Sequence, residues 1–144
     1  MTGAEKEAAI EEENKRHRDT VAQIEGMYDA KIALNENTAE SLKDQYGIGS
    51  LSSASYYQRR ESEISTEISN KTSKMYYTSS ALERAQLQEE INDLQDERKE
   101  VLICLKIVEI EEETEDLIRE RDTLLAYEDA AHEKNLKAIE EQYG

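Results

Sequence analysis

The stretch QYGIGSLSSASYYQRR, from Gln45 to Arg60, decides how the chain is built. On both sides lie long runs of Glu, Lys, Arg, Ala, Leu and Ile with apolar residues at helical spacing. Inside it come two glycines, a serine cluster, paired tyrosines and paired arginines. Gly47 is placed to end a helix in the left-handed conformation that glycine tolerates. Gly49 supplies a second joint. Ser50, Ser52 and Ser53 are candidate caps for the next helix, and Ser52 is the expected one. A reversal here gives an intramolecular antiparallel bundle, whereas a straight hinge gives parallel oligomers. The sequence leaves both open.

Working outward, residues 1–46 read as an N-terminal helix, 47–52 as a turn or hinge, and 53–144 as a long helical region. In the first helix Val21, Ile24 and Tyr28 step by threes and fours. After a slip of phase Ile32, Asn35, Ala39, Leu42 and Tyr46 do the same. Asn35 falls on this stripe, either to fix register, as a buried polar residue does in a coiled coil, or as a partly exposed neighbour of it. The next stripe is Tyr57, Glu61, Ile64, Ile68, Lys71, Met75, Thr78 and Leu82. YYTSSALE, where Ser80 and Glu83 fit a capping box, leaves two alternatives open, a short break near 77–80 or a helix that runs through it. Beyond it Leu87, Ile91, Leu94, Arg98, Val101, Leu105 and Val108 keep the four-three alternation. The phase then shifts. Ile110, Leu117, Leu124 and Ala131 recur every seven, as do Ile118, Leu125 and His132, with Ile139 following. Heptads sustained this far predict a coiled coil or an elongated antiparallel hairpin or bundle, all-α, with Leu117 and Leu124 widening its apolar face.

Composition agrees. The 144 residues contain no proline, tryptophan or phenylalanine, and 36% are charged. Eight tyrosines are the only aromatics in a chain that is 37% hydrophobic, so a narrow helical seam is affordable and a thick core is not. The formal charge of −16 repels phosphate backbones and anionic lipid surfaces, so no direct nucleic-acid binding is expected. The longest apolar run, Val101–Leu105, is far shorter than the roughly 20 residues that cross a bilayer, so no membrane segment is expected. Cys104, the single cysteine, lies in VLICLKIVEI and reads as a buried free thiol.

Sites of chemistry are scarce. His17 and His132 are the only histidines, and they share a metal only if the fold brings them together. The acidic runs Glu11–Asn14 and Glu109–Asp116 lack the glycine turn of a calcium loop and read as solvated helix faces. No nucleophile, base and orienter can be assembled, and no phosphate-cradling glycine loop is present. No catalytic residue, cofactor or metal is therefore expected. Arg59 and Arg60 beside Tyr56 and Tyr57 read as helix-start packing by the tyrosines, with the arginines in water.

The turn resembles a recurring element of the tape measure proteins of long-tailed phages and prophages. In that family a helix ends near a tyrosine and a glycine, a short Leu-Ser or Ile-Ser turn follows, and the next helix opens with paired tyrosines and an arginine. Here Tyr46 and Gly47 match the helix end, Leu51 and Ser52 the turn, and Tyr56, Tyr57, Arg59 and Arg60 the new start. Ser53, Ala54 and Ser55 replace the family's acidic residues after the turn serine. The ending DQYG at Gly47 also returns as EQYG at Gly144, which hints at helix-turn units of a longer protein. The resemblance implies a structural segment of an extended helical assembly that sets tail length. Its partners would be tail tube and chaperone proteins, and its place the virion tail, or the host cytoplasm during assembly. Otherwise the residues fit a cytoplasmic, acidic helical scaffold, adaptor or chaperone-like module that binds a protein along its apolar stripe. In either case the stripes require a partner, from self-association or from intramolecular helix pairing.

Overall fold

The computed structural model describes residues 3–144. The protein is all-α: α1 spans Gly3–Tyr46, α2 Ala54–Tyr77 and α3 Ala81–Tyr143. Among the described residues no helix is long and apolar enough to cross a membrane. Packing divides the chain into two units. Unit 1 is Met1–Glu36 with Glu113–Gly144, and unit 2 is Asn37–Glu112.

Unit 2 contains the turn. Gly47 has φ 64, and α1 ends in a Schellman arrangement in which the Ile48 N–H reaches the Lys43 carbonyl at 2.9 Å. A side chain at Gly47 would be strained by that left-handed φ. Gly49 has no positive φ, so its backbone does not require a glycine there. The cap of α2 is Ser53 and not Ser52: the Ser53 hydroxyl accepts the Tyr56 N–H at 3.2 Å. Ser52 is committed elsewhere, because its N–H donates to the Tyr57 hydroxyl at 2.9 Å. That bond ties the connection to a buried residue of α2. The connection reverses the chain, and Ile48 and Leu51 pack on the core with Tyr57, Ile64, Val101, Cys104 and Val108.

The α2 and α3 stripes meet in that core. Ile64 is 0% exposed, and such burial of an Ile side chain stabilises by about 1.5–3 kcal/mol. Tyr57, Leu87, Ile91, Val101 and Val108 are buried as well, and Ile68, Met75, Leu94 and Leu105 are half-buried. Polar members of the stripes find one another across the helix pair. Arg98 donates to Glu61 at 2.9 Å and Lys71 to Glu90 at 2.9 Å, so neither stripe carries an orphaned charge. Arg60 is not left to water, since it donates to Glu97 at 2.6 Å. Ile107 is fully buried although the four-three reading passed it over in favour of Val108.

Leu82 departs from the expected packing. It is 71% exposed because α2 stops at Tyr77 and a new helix begins at Ala81, which resets the helical phase. Half of the expected capping box forms there. The Ser80 hydroxyl accepts the Glu83 N–H at 3.2 Å, while the Glu83 carboxylate accepts from the Thr78 hydroxyl at 3.0 Å instead of reaching back to Ser80.

These placements predict a contrast between two aliphatic truncations. Ile64→Ala should lower unfolding free energy by about 2–5 kcal/mol in urea titrations followed by circular dichroism. Leu82→Ala should change it by less than about 0.5 kcal/mol. Equal losses would mean that the α2–α3 register is misassigned.

Candidate functional site

Unit 1 pairs the N-terminal part of α1 with the C-terminal part of α3, antiparallel. Lys6 meets Glu140 at 2.8 Å, Arg16 meets Glu128 at 2.8 Å, and Arg121 meets Asp29 at 3.0 Å. The seam differs from an ordinary coiled coil. On α3 one heptad position is occupied by Ile118, Leu125, His132 and Ile139, all half-buried. The position facing the same seam is occupied by Thr114, Arg121, Glu128 and Asn135. Half of the inner face is therefore polar. Leu117 is half-buried, but Leu124 is 38% exposed and Ala131 is exposed, so that heptad row runs along the flank rather than the seam. On α1 Ile32 is buried, and buried Asn35 donates from Nδ2 to Glu113 at 3.1 Å.

The polar seam culminates in one cluster. Glu13 and Glu128 are each only 7% exposed. Two buried carboxylates would repel each other, and each would lose its hydration, unless a cation and donors replaced the water. Arg16 supplies both. Its Nε and Nη2 donate to Glu13 at 2.8 and 2.9 Å, and its Nη1 and Nη2 donate to Glu128 at 2.9 and 2.8 Å. One planar guanidinium thus grips a carboxylate on each helix, a geometry that lysine does not offer. Asn135 Nδ2 adds a donor to Glu13 at 3.0 Å.

The two histidines complete the cluster. Their rings stack with centroids 3.9 Å apart and planes 11° from parallel. His17 Nδ1 lies 2.8 Å from Glu128 Oε2, and His132 Nδ1 lies 2.8 Å from Glu13 Oε2. An ionised carboxylate only accepts, so both imidazoles carry their proton on Nδ1. The arrangement has an approximate two-fold relation. Each helix carries a glutamate four residues before its histidine, Glu13 with His17 and Glu128 with His132. Each glutamate bonds the histidine of the other helix.

Charge placement shows in the acidities. Glu13 is lowered to about 2, chiefly by its bond to Arg16, against an opposing effect of burial and with help from His132 and Asn135. Glu128 is lowered by Arg16 first and His17 second. Arg16 is raised further above its ordinary value by the same two carboxylates. Both glutamates are therefore anionic across the physiological range.

The remaining sequence candidates fall outside this cluster. Cys104 is buried in unit 2 as a free thiol. Gly47, Gly49 and Ser52 form the connection described above. The apolar rows pack the helices and leave His17 and His132 as the residues the fold unexpectedly unites. Among the described residues no group of three or more His, Cys, Asp or Glu side chains is arranged to hold a metal ion. The space between the carboxylates is filled by the Arg16 guanidinium, and both Nδ1 atoms are engaged. A signal for the cluster was in the sequence: both histidines of the chain sit four residues after a glutamate. No protein-family model, curated protein or solved structure matches the chain.

Two outcomes follow from the cluster. Arg16→Met strands two buried carboxylates and should lower the urea midpoint of the full chain. Acid should act through Glu13. Its folded value lies below its unfolded one, so its stabilisation is present above about pH 4.5 and is lost as the pH falls toward about 2. Glu13→Gln should therefore show a smaller acid-linked loss of helix signal in that window than the parent chain. An equal loss would remove Glu13 from the account.

Proposed function

We propose that the chain is a structural helical module that carries out no chemical step and serves as an acidic scaffold or adaptor for a protein partner. The observation that carries this reading is the seam of unit 1. Its charged groups are spent on one another, through Arg16, Glu13, Glu128 and the two histidines, and so hold two helices in a single register. Register, not reactivity, is what such a cluster provides. Outside the seam α1 exposes Met27 and Leu34, seven residues apart on one helix face, and α3 exposes Tyr127. These apolar groups lie on a chain of net charge −16, a surface suited to a partner with basic and apolar patches.

Photo-crosslinking in the native cell tests this. With benzoylphenylalanine at position 27 or 34, the scaffold reading expects one discrete heterologous adduct. With the label at the buried position 104 it expects none. Adducts that are absent, or identical from all three positions, would contradict it.

A narrower reading, a segment of a phage tail tape measure protein, is supported by the turn from Tyr46 to Arg60 and its resemblance to that family. It requires the α1–α3 seam of unit 1 to open, because antiparallel pairing returns the chain along itself. Deleting residues 48–144 in frame from the parent gene should then shorten tails by about 145 Å, at ~1.5 Å per helical residue. Tails of unchanged length would end this reading and leave the broader one standing.

A further inference from the structure

Gly26 stands near the middle of α1, and nothing inside the chain asks for a glycine there. Its φ is not positive. A side chain added at this position would meet no atom within 4 Å. Glycine in a helix interior weakens the helix, because it has the most backbone freedom to lose. The other glycines lie near the two ends of the sequence or in the connection after Tyr46. A mid-helix glycine that serves no turn and no internal contact fits the close approach of another backbone. Its neighbours agree. Ala22 lies one turn before Gly26 and Ala30 one turn after it, with Ala33 beside them, all exposed. Met27 and Leu34, 64% and 59% exposed, border this row on one side. At about 100° per residue, these side chains share an arc of about 140° on the helix. The arc lies opposite the buried Ile32 and Asn35. Between positions 20 and 36 it contains no charge, and Gln23 is its only polar member. In a chain with 36% charged residues, the outward side of a helix is where charge is expected, and here there is none.

The two edges of the arc differ. Beside Ala22 and Ala33 run Glu25, Asp29 and Glu36, all exposed. Asp29 is held by Arg121, while Glu25 and Glu36 form no ion pair among the described residues. On the other edge the one charge between positions 20 and 36 is Lys31, which faces Glu113 at 3.6 Å. A row of small residues with a hollow at Gly26 is a shape into which the side-chain ridge of another helix fits. An edge with uncompensated carboxylates favours a partner with cations beside that ridge. We propose that this face of α1, centred on Gly26, receives an α-helix of a basic protein partner. The partner's apolar ridge lies along Ala22, Gly26 and Ala30, and its Lys or Arg residues lie against Glu25 and Glu36. The proposal rests on the scaffold reading above and names the element that the scaffold holds. A second copy of the chain is a poor occupant, because with a formal charge of −16 it brings a further surplus of carboxylates to Glu25 and Glu36.

The test uses the full chain with benzoylphenylalanine at position 34, irradiated in the native cell, and follows the heterologous adduct through variants of the face. Gly26→Ala should raise the thermal midpoint of the isolated chain, since it improves the helix and meets nothing. Gly26→Leu should keep a midpoint no lower than the parent's, yet reduce the adduct about tenfold, because its side chain fills the point of closest approach. Glu25→Lys combined with Glu36→Lys should also reduce the adduct. Leu82→Ala, at an exposed position in unit 2, should leave it unchanged. Mass spectrometry of the digested adduct should place the crosslink in a segment with apolar residues at helical spacing and Lys or Arg alongside. An adduct as strong in Gly26→Leu as in the parent, a crosslinked segment that is acidic, or an adduct of two copies of this chain would overturn the proposal. A lower midpoint in Gly26→Ala would overturn it without any partner, by showing that the glycine serves the chain's own fold. The two readings fail differently. A heterologous adduct that ignores Gly26 ends this proposal and leaves the scaffold with a partner held in another way, whereas no adduct from position 34 removes both.

Discussion

A buried polar group must find a partner, and this chain has too few large apolar side chains to keep polar groups out of its seams. With no tryptophan or phenylalanine, its helices meet along narrow faces in which charged and amide side chains take alternate positions. Everything else follows from how those groups are satisfied. In unit 2 the stripes are mostly aliphatic, and their polar members pair singly, Glu61 with Arg98 and Lys71 with Glu90. In unit 1 the polar share of the seam is larger, and single pairs give way to a network. There Arg16 is the member with no substitute. Removing any other leaves a charge with some compensation, but removing Arg16 leaves two buried carboxylates opposing each other across the helix pair.

Such a network has a directional consequence. Aliphatic seams tolerate sliding by a heptad, because one leucine packs much like another. A guanidinium clamped by two carboxylates, with an imidazole on each, fits one register and one relative direction. The hydrogen bonds of the cluster thus fit the antiparallel register in which α1 and α3 meet.

How much could be read beforehand depended on the chemistry of each seam. The α2 stripe was legible in full as far as Thr78, because aliphatic residues recur there at helical spacing and a helix was free to follow them. It failed at Leu82, where the three-residue break from Thr78 to Ser80 resets phase and strands the side chain in water. The turn was legible at Gly47, where left-handed backbone has few solutions. The cap was misplaced by one residue, since serines at 52 and 53 are equivalent until the Tyr57 hydroxyl claims one N–H. In α3 beyond Glu112, apolar spacing picks out two heptad rows: Ile118, Leu125, His132 and Ile139 do lie in the seam, whereas Leu124 and Ala131 of the other row are exposed. The true seam alternates His132 and Leu125 with Glu128 and Arg121. Apolar periodicity cannot register a face whose members are half charged, and the pairing of each glutamate with a distant histidine exists only once the helices are side by side.

The most direct test of this account is a nuclear Overhauser measurement between the two imidazole rings, in full-length chain mixed with an excess of unlabelled chain. With only two histidines the assignment is unambiguous, and isotope dilution separates contacts within one chain from contacts between copies. The account predicts a strong intramolecular cross-peak between ring protons of His17 and His132, as rings stacked at 3.9 Å require. Its absence, or its appearance only between differently labelled chains, would show that α1 and α3 of one chain do not pair through this cluster.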